Sequence, residues 1–333
     1  MANNSQKENS QISTKAWLLE TLRKNAGNTL SGTLLASELG ISRVSIWKGI
    51  QSLIIAGYPI EALDSGYVIH EFQDTDFLYP WEFLEKESLF SFIDSTASIM
   101  DLAREAAQRG ALSGSIFIAE KQSKGRGRNG KTWVSEQGGL YFSVLEKRPQ
   151  ISIADYCLPM MLYQIALART LTGQLGKEVN VRWPNDIYVD KRKIAGLYTE
   201  FEGEGDSVKW LSIGIGVNVN NPAPFQKAAS CIDILGKPLL RRRLLLVILD
   251  EAERLKKDCK IKTIYSQGNR FLSSEWNLMT DCLGNQAAVV ISDARIIFEG
   301  KYCGIDPAGR CIIKPHDGKG ALYFNPGRFS INF

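Results

Sequence analysis

A chain of 333 residues, 44% hydrophobic and 23% charged, has room for two or three ordinary globular domains, and its net charge of +4 nominates neither nucleic acid nor membrane as a partner. The opening MANNSQKENSQISTK lacks the apolar core of a signal peptide, and LLLVIL at 244–249 is far too short to cross a bilayer. Six cysteines without a CxxC pair and only two histidines, His70 and His316, argue against a disulfide framework or zinc site and predict a protein of the reducing cytoplasm.

Along the chain, residues 14–25 and 32–39 carry apolar faces at helical spacing and predict two short helices. Gly40 stops the second, and Ser42 is placed to cap a third helix through RVSIWKGIQSLIIAG at 43–57. Helix, tight turn and helix form the pattern of a helix-turn-helix, and YPIEALDSGYVI at 58–69 predicts a hairpin that would supply a wing. A plain three-helix bundle is the bland alternative. Over residues 1–75 six lysines and arginines stand against seven acids, so one copy should hold DNA phosphates only weakly.

The polar stretch Glu71–Asp76 predicts a linker. After it come strand SLFSFID (88–94), helix DLAREAAQRG (101–110) ended by Gly110, and strands SIFIAEKQ (115–122) and GLYFSVLEK (139–147). YCLPMMLYQIALARTLTGQLG (156–176) predicts a long apolar helix, and VNVRWPNDIYVDKRKIAGLYTEFEG (179–203) a strand–turn–strand. VKWLSIGIGVNVN (208–220) is expected to close the sheet, and Pro238 to open a helix from about 239 to 258. The tail changes character from about 284: AAVVIS (287–292), RIIFEGKYCGI (295–305), RCIIKP (310–315) and LYFNPGRFSINF (322–333), spaced by Gly-bearing turns, predict a small β-barrel.

The run KGRGRNGKTW at 124–133 fits three motifs at once. Gly125 to Thr132 satisfies the P-loop pattern, and Gly125, Gly127 and Gly130 satisfy the dinucleotide fingerprint. Both need a helix after the loop to point its positive end at phosphate. The loop leads instead into TWVSEQGGLYFSV, where Gly138 and Gly139 would break a helix and LYFSV has strand composition. LLLVILDE imitates the magnesium-binding strand of an ATPase, but Asp250 lies in a run of helical periodicity. The third reading is a clamp: Arg126 and Arg128 alternate with glycines, so backbone approaches a ligand while two guanidinium forks face an anion. A solvated basic loop is the plainer alternative.

GRGRNGKTW, WPND at 183–186 and KIAG at 193–196, with IDST at 93–96 before a helix, together resemble the biotin–protein ligases. The chain order is similar to that of the family's bifunctional form, ligase and repressor of the biotin operon, from about residue 14 onward. Any one motif alone would be weak; the three at these separations are specific. The resemblance implies an α+β protein with a winged helix-turn-helix at 1–75, a mixed-sheet α/β catalytic domain of class II synthetase type at 76–280 and an SH3-like β-barrel at 281–333. It implies that biotin is activated by ATP, with magnesium, to biotinyl-5′-AMP and passed to a lysine of a biotin carboxyl carrier domain. It also implies a ligand-dependent homodimer on operator DNA.

By the same resemblance, Arg128 and Lys193 hold the biotin carboxylate and α-phosphate and are the catalytic pair. Ser95, Thr96, Ala97, Gln122, Gly125, Gly127, Trp133 and Gly196 join Arg126, Arg128 and Lys193 around biotin. Asn185, Asp186 and Asn218 join Arg126, Arg128 and Lys193 at the nucleotide, Asp186 being the candidate for magnesium. Gly214 and Gly216 would allow close approach of backbone to ligand, or relieve crowding in a sheet. Arg43, Ser45, Lys48 and Gln51 are the candidates to face DNA. Two positions depart from the family pattern: Ala97 stands where asparagine often follows Ser-Thr, and Arg182 where lysine usually precedes WPND. The rival readings are a ligase whose winged helix binds no DNA, a sensor without transfer, a lipoate-type acyl ligase and a P-loop ATPase.

Overall fold

The computed structural model describes residues 12–71, 74–149, 151–258, 268–291, 295–327 and 329–333. The expectations for residues 1–11, Cys259, residue 292 and the middle of the Glu71–Asp76 linker therefore lie outside the described residues. The chain divides into two compact units, Met1–Ser91 and Phe92–Phe333.

In the first unit, helices α1 (Thr14–Lys24), α2 (Gly32–Leu39) and α3 (Arg43–Ile55) are capped by Ser13, Ser31 and Ser42, each accepting a backbone N–H of the first turn. Gly40 ends α2 in the left-handed region at φ 69°, a conformation that glycine adopts without steric cost. The missing side chain of Gly49 lets α3 approach Leu18 of α1. Leu18, Leu22, Leu35, Ile46, Ile50 and Leu53 form the core. Strands β1 (Glu61–Leu63) and β2 (Gly66–Val68) then pair antiparallel around Asp64-Ser65, the expected wing. Arg23 grips the buried Glu82 with both nitrogens at 2.8 Å, and the Tyr58 hydroxyl donates to the same carboxylate at 2.7 Å.

The second unit is built on a seven-stranded sheet in the order β3 (Phe90–Thr96), β4 (Ile116–Gln122), β5 (Leu140–Lys147), β9 (Ser207–Val217), β8 (Arg192–Glu204), β7 (Asp186–Val189), β6 (Val179–Arg182). The pairings from β4 across to β6 are antiparallel. The strand expected to close the sheet, β9, instead lies at its centre, because its residues from Trp210 to Val217 are all buried and need neighbours on both sides. Helix α4 (Ile99–Gln108) packs its Ala103 and Ala107 face on Phe117 and Leu145. The apolar α5 (Leu158–Leu175) is buried along most of its length.

After the short α6 (Cys231–Leu235), α7 runs Arg241–Asp258, so Pro238 is not its first residue. The reason is local: the Asn220 amide accepts from Leu239 N at 2.9 Å and donates to Leu239 O at 2.8 Å, which holds that backbone out of the helix. Asp250 is exposed on α7, as the periodicity predicts. Beyond α8 (Gly268–Leu278), strands β10 (Gln286–Val290), β11 (Ile296–Ile305), β12 (Cys311–Lys314), β13 (Leu322–Phe324) and β14 (Ser330–Asn332) form an antiparallel sheet ordered β13-β12-β11-β10-β14. Among the described residues no β13–β14 pairing closes it into a barrel. Cys157, Cys231, Cys282, Cys303 and Cys311 are free.

Candidate functional site

The loop after β4 is folded by its own backbone. Ser123 N donates to Thr96 O at 2.9 Å and Lys124 N to Ala97 O at 2.8 Å; Gly127 N donates to Lys131 O at 2.7 Å and Trp133 N to Gly125 O at 2.9 Å. A Cβ at Gly125 would strike Trp133 O, so this glycine is required by close approach of two strands of the loop. Arg128–Gly130 make only a short 3-10 turn, and β5 comes next. With no helix N-terminus after the loop, the P-loop and dinucleotide readings lose the dipole and the N–H cradle that define them.

The two arginines have different fates. Arg126 donates to Asp101 Oδ1 at 2.6 Å and Glu200 Oε1 at 2.7 Å, and Arg104 reaches both carboxylates as well. Burial alone would lower its pKa, but the hydrogen bond and charge of Glu200, with those of Asp101, outweigh it and raise the value. Its guanidinium is therefore a strut between α4 and β8, not the second of two equal anion-binding cations as the motif suggests. Arg128 instead donates to the carbonyl oxygens of Pro326 and of Phe329, the latter at 2.7 Å. Its pKa is lowered, chiefly by burial, because carbonyl dipoles replace water without supplying a counter-charge. A half-buried cation facing neutral dipoles is poised to take an anion.

The other half of the site comes from the β7–β8 hairpin. Asp190 and Lys191 both have positive φ, 48° and 62°, as a two-residue hairpin turn of matching twist requires. A register shift lies between Ile187 and Tyr188, where Ala195 and Lys193 pair with successive residues of β7. Such bulges re-aim side chains, and here Lys193 Nζ lies 2.6 Å from Asp186 Oδ1 and 5.3 Å from the Trp133 ring centroid. Lys193 is fixed through its backbone too: its N–H donates to Lys227 O and its carbonyl accepts from Ala229 N, both at 2.9 Å.

The floor between these cations is glycine. Gly196 of β8 sits directly opposite Gly216 of β9, and the Trp133 indole lies across both. Any side chain at Gly216 would meet that ring. Trp133 Nε1 is buried against Gly216 without a hydrogen-bond partner. Gly214 serves packing instead, its missing side chain making room for Met100 of α4.

A cavity of about 1040 Å³ gathers Gln122, Arg126, Gly127, Arg128, Trp133, Asn185, Asp186, Lys193, Gly196 and Asn218 from the sequence-predicted set, together with Arg182, Gly214 and Gly216. Ser95, Thr96, Ala97 and Gly125 are not in its lining. Thr96 and Ala97 touch the loop through backbone bonds, and Ser95 and Ala97 are exposed. Several predicted ligand groups are already engaged. Gln122 accepts from Ile99 N at 2.9 Å and donates to Ser135 Oγ at 2.9 Å. The Asn218 amide donates to Ala229 O at 3.1 Å, and the Asn185 amide is bonded to Leu197 O, so both brace the cavity wall. Arg182 is drawn to Asp281 by two bonds, at 2.7 and 3.0 Å, and so points away from a role as a free cation. Trp183, before a cis Pro184, donates to Gly309 O at 3.0 Å.

Sequence reasoning missed Asp101 and Glu200, which carry no motif, and Ser330–Phe333, which line the cavity from the far end of the chain. It also missed Arg241, whose guanidinium bonds Glu120 and Gly139 O beneath β5. Among the described residues no cluster of three or more metal-ligating side chains exists. Asp186, the sequence-predicted magnesium candidate, is paired with Lys193 at 2.6 Å.

In the first unit, Arg43 and Lys48 are exposed on α3 and Gln51 is half-buried. The Ser45 hydroxyl is 2.9 Å from that of Ser42, so it belongs to the helix cap. No helix among the described residues is long and apolar enough to cross a membrane.

Comparison with known proteins is consistent with this geometry. Residues 89–218 match the biotin/lipoate A/B protein ligase family and residues 16–68 a helix-turn-helix domain. The chain is 27% identical over 325 residues to the bifunctional ligase/repressor BirA of Bacillus subtilis, covering 92% of this chain and 95% of that one. It is 26% identical over 301 residues to BirA of Escherichia coli, covering 86% and 89%. The structure of a biotin protein ligase from Aquifex aeolicus in complex with biotin and ATP superposes with a TM-score of 0.60 at 24% identity, over 73% of this chain and 98% of that one.

Proposed function

We infer, from a chain whose residues 89–218 match the biotin/lipoate A/B protein ligase family and whose residues 16–68 match a helix-turn-helix domain, a biotin–protein ligase that also represses transcription. The observation that carries the enzymatic half is the convergence of Arg128 and Lys193 on one glycine-floored cavity.

The chemistry asks for that arrangement. A carboxylate oxygen of biotin attacks the α-phosphorus of ATP, forming the acyl-phosphate bond of biotinyl-5′-AMP as the bond to pyrophosphate breaks. Two anions must approach each other, so fixed cations at the point of reaction lower the barrier. Lys193, held at its backbone on both sides, supplies a point charge. Arg128 supplies a planar fork by exchanging the carbonyls of Pro326 and Phe329 for the ligand. Arg126 holds the loop in place through Asp101 and Glu200. The glycine pair lets the Trp133 indole lie flat on the sheet, and its outer face would form one wall for the ring system of biotin. Magnesium, bound with the triphosphate beside Asp186, would neutralise charge on the departing pyrophosphate. In the second half-reaction the uncharged ε-amine of a carrier lysine attacks the acyl carbonyl, the amide forms, and AMP leaves.

Incubated with labelled biotin, ATP, magnesium and a biotin carboxyl carrier domain, the protein is expected to transfer label to the carrier lysine. Absence of transfer with all four present would sink the ligase reading, and ATP hydrolysis without biotin would restore the ATPase.

For the repressor half, the small charge surplus of acids over bases in residues 1–75 makes one helix-turn-helix a weak DNA binder. Two copies in a dimer would add their contacts on paired half-sites. A gel shift at low salt, with DNA from upstream of the source organism's biotin genes, is expected to show retardation mainly when biotin and ATP are both supplied. Equal binding of random DNA by the adenylate-loaded protein would leave a ligase alone, acting in the cytoplasm without an operator.

A further inference from the structure

The solvent side of α3 carries large apolar side chains among its polar ones. Its buried stripe is Ile46, Gly49, Ile50 and Leu53. The opposite stripe, at spacings of three and four, is Val44, Trp47, Lys48, Gln51 and Ile55, with Val44 60%, Trp47 52% and Ile55 85% exposed. An indole and an isopropyl group in water within the first two turns of one helix mark a contact surface.

The hydrogen-bonding capacity of the same turns is small. The Ser42 and Ser45 hydroxyls are 2.9 Å apart, and Ser42 Oγ accepts from Ser45 N at 3.1 Å, closing the helix cap. The Ser52 hydroxyl donates to Lys48 O at 2.9 Å. That leaves Arg43, Lys48 and Gln51. Flexible cations at the rim of a helix suit phosphates, which position a protein on DNA and carry no sequence information. A helix that enters the major groove by its first turns therefore meets the base edges here mainly with Val44 and Trp47. The apolar group that the major groove presents is the C5-methyl of thymine.

We propose that Val44 and Trp47 read thymine methyl groups, so that the operator is recognised by apolar contact more than by bidentate hydrogen bonds. This rests on the repressor reading and names what that surface selects: DNA with thymines at the positions facing the start of α3. Arg43 and Lys48 hold the flanking phosphates, and discrimination comes from burying methyls against the indole.

The test needs no variant to begin. The duplex would be the segment upstream of the biotin genes that the adenylate-loaded protein protects from nuclease, made once with thymine and once with uracil. Uracil keeps every hydrogen-bonding group and lacks only the methyl. By fluorescence anisotropy, the native protein is expected to bind the uracil duplex about tenfold more weakly, the effect of unburying two or three methyl-sized contacts. The Val44→Ser, Trp47→Gln double variant, with its melting temperature checked against the native protein, should bind both duplexes alike, and Trp47→Phe should retain most of the preference. Equal binding of the two duplexes by native protein that still prefers them over random sequence would overturn the proposal and assign the apolar face to a protein partner. Failure to prefer the segment at all would remove the repressor reading itself, and this one with it.

Discussion

Arg128→Ala and Lys193→Ala are each expected to slow adenylate formation by a factor on the order of a hundred or more, read as biotin-dependent exchange of pyrophosphate into ATP. Both cations line one cavity, and each would face charge that builds at the α-phosphorus as the carboxylate attacks. Removing one preorganised charge from such a site typically costs that much, because water in its place must reorient around the developing charge at a cost in free energy. Lys131→Ala and Thr132→Ala should lose far less, since both residues are exposed and no helix comes after them to make a phosphate cradle. Arg128 also binds the carbonyls of Pro326 and Phe329, so its alanine variant removes a tie to the C-terminal strand as well as a charge. Arg128→Lys separates the two effects: it keeps the charge and loses the fork, and it should recover part of the rate if neutralisation dominates. An enzyme that needs Lys131 and does without Lys193 would show that the clamp has been assigned to the wrong residues.

Gly216→Val is expected to weaken biotin binding by roughly ten- to a hundredfold while leaving the sheet folded. Valine suits a strand, and Gly216 does not need a left-handed backbone, so the substitution carries no intrinsic penalty there. Its cost comes from the space above it, where the Trp133 indole lies across Gly196 and Gly216. A side chain on that floor must displace the ring, and with it the wall the ring gives the cavity. Isothermal titration with biotin, beside a melting curve, reads the two consequences separately. Unchanged affinity would mean that the seat of the Trp133 indole on the β8–β9 glycines does not shape the biotin site. Gly214→Ala is the informative neighbour: it should act on stability through Met100, with biotin affinity changing only if α4 shifts.

The contrast between Arg126 and Arg128 shows where sequence patterns stop. In GRGR the two arginines are equivalent by type and spacing, and a clamp of two cations is the natural reading. The difference arises from Asp101 on α4 and Glu200 on β8, which lie 25 and 74 residues away and saturate Arg126 alone. Ion pairs depend on distance in space, and no local pattern announces them. The same holds for Asn218 and Gln122, polar residues of a suitable kind whose amides the protein itself already uses. Pro238 is a local version of the problem: its place before a helical run predicts a first turn that the Asn220 amide takes away.

What local chemistry could specify, the sequence determined by itself. Serine caps and a left-handed Gly40 set the helix-turn-helix; the two glycines after the GRGR loop forbade the helix that a nucleotide motif needs; alternation and turn residues marked most strands. Motif spacing was also enough to point to the family that residues 89–218 match, because GRGR, WPND and KIAG each place their residues on an adjoining loop or hairpin. Tertiary structure alone decided which of these groups share a cavity. It put β9 at the centre of the sheet, where eight successive buried residues need a neighbour on each side. It set Gly196 against Gly216 by strand register, re-aimed Lys193 through a bulge, and brought Ser330–Phe333 to the wall beside Arg128. Register, bulges and long-range ion pairs are settled by the packing of whole elements, whose energies sum over residues far apart in the chain.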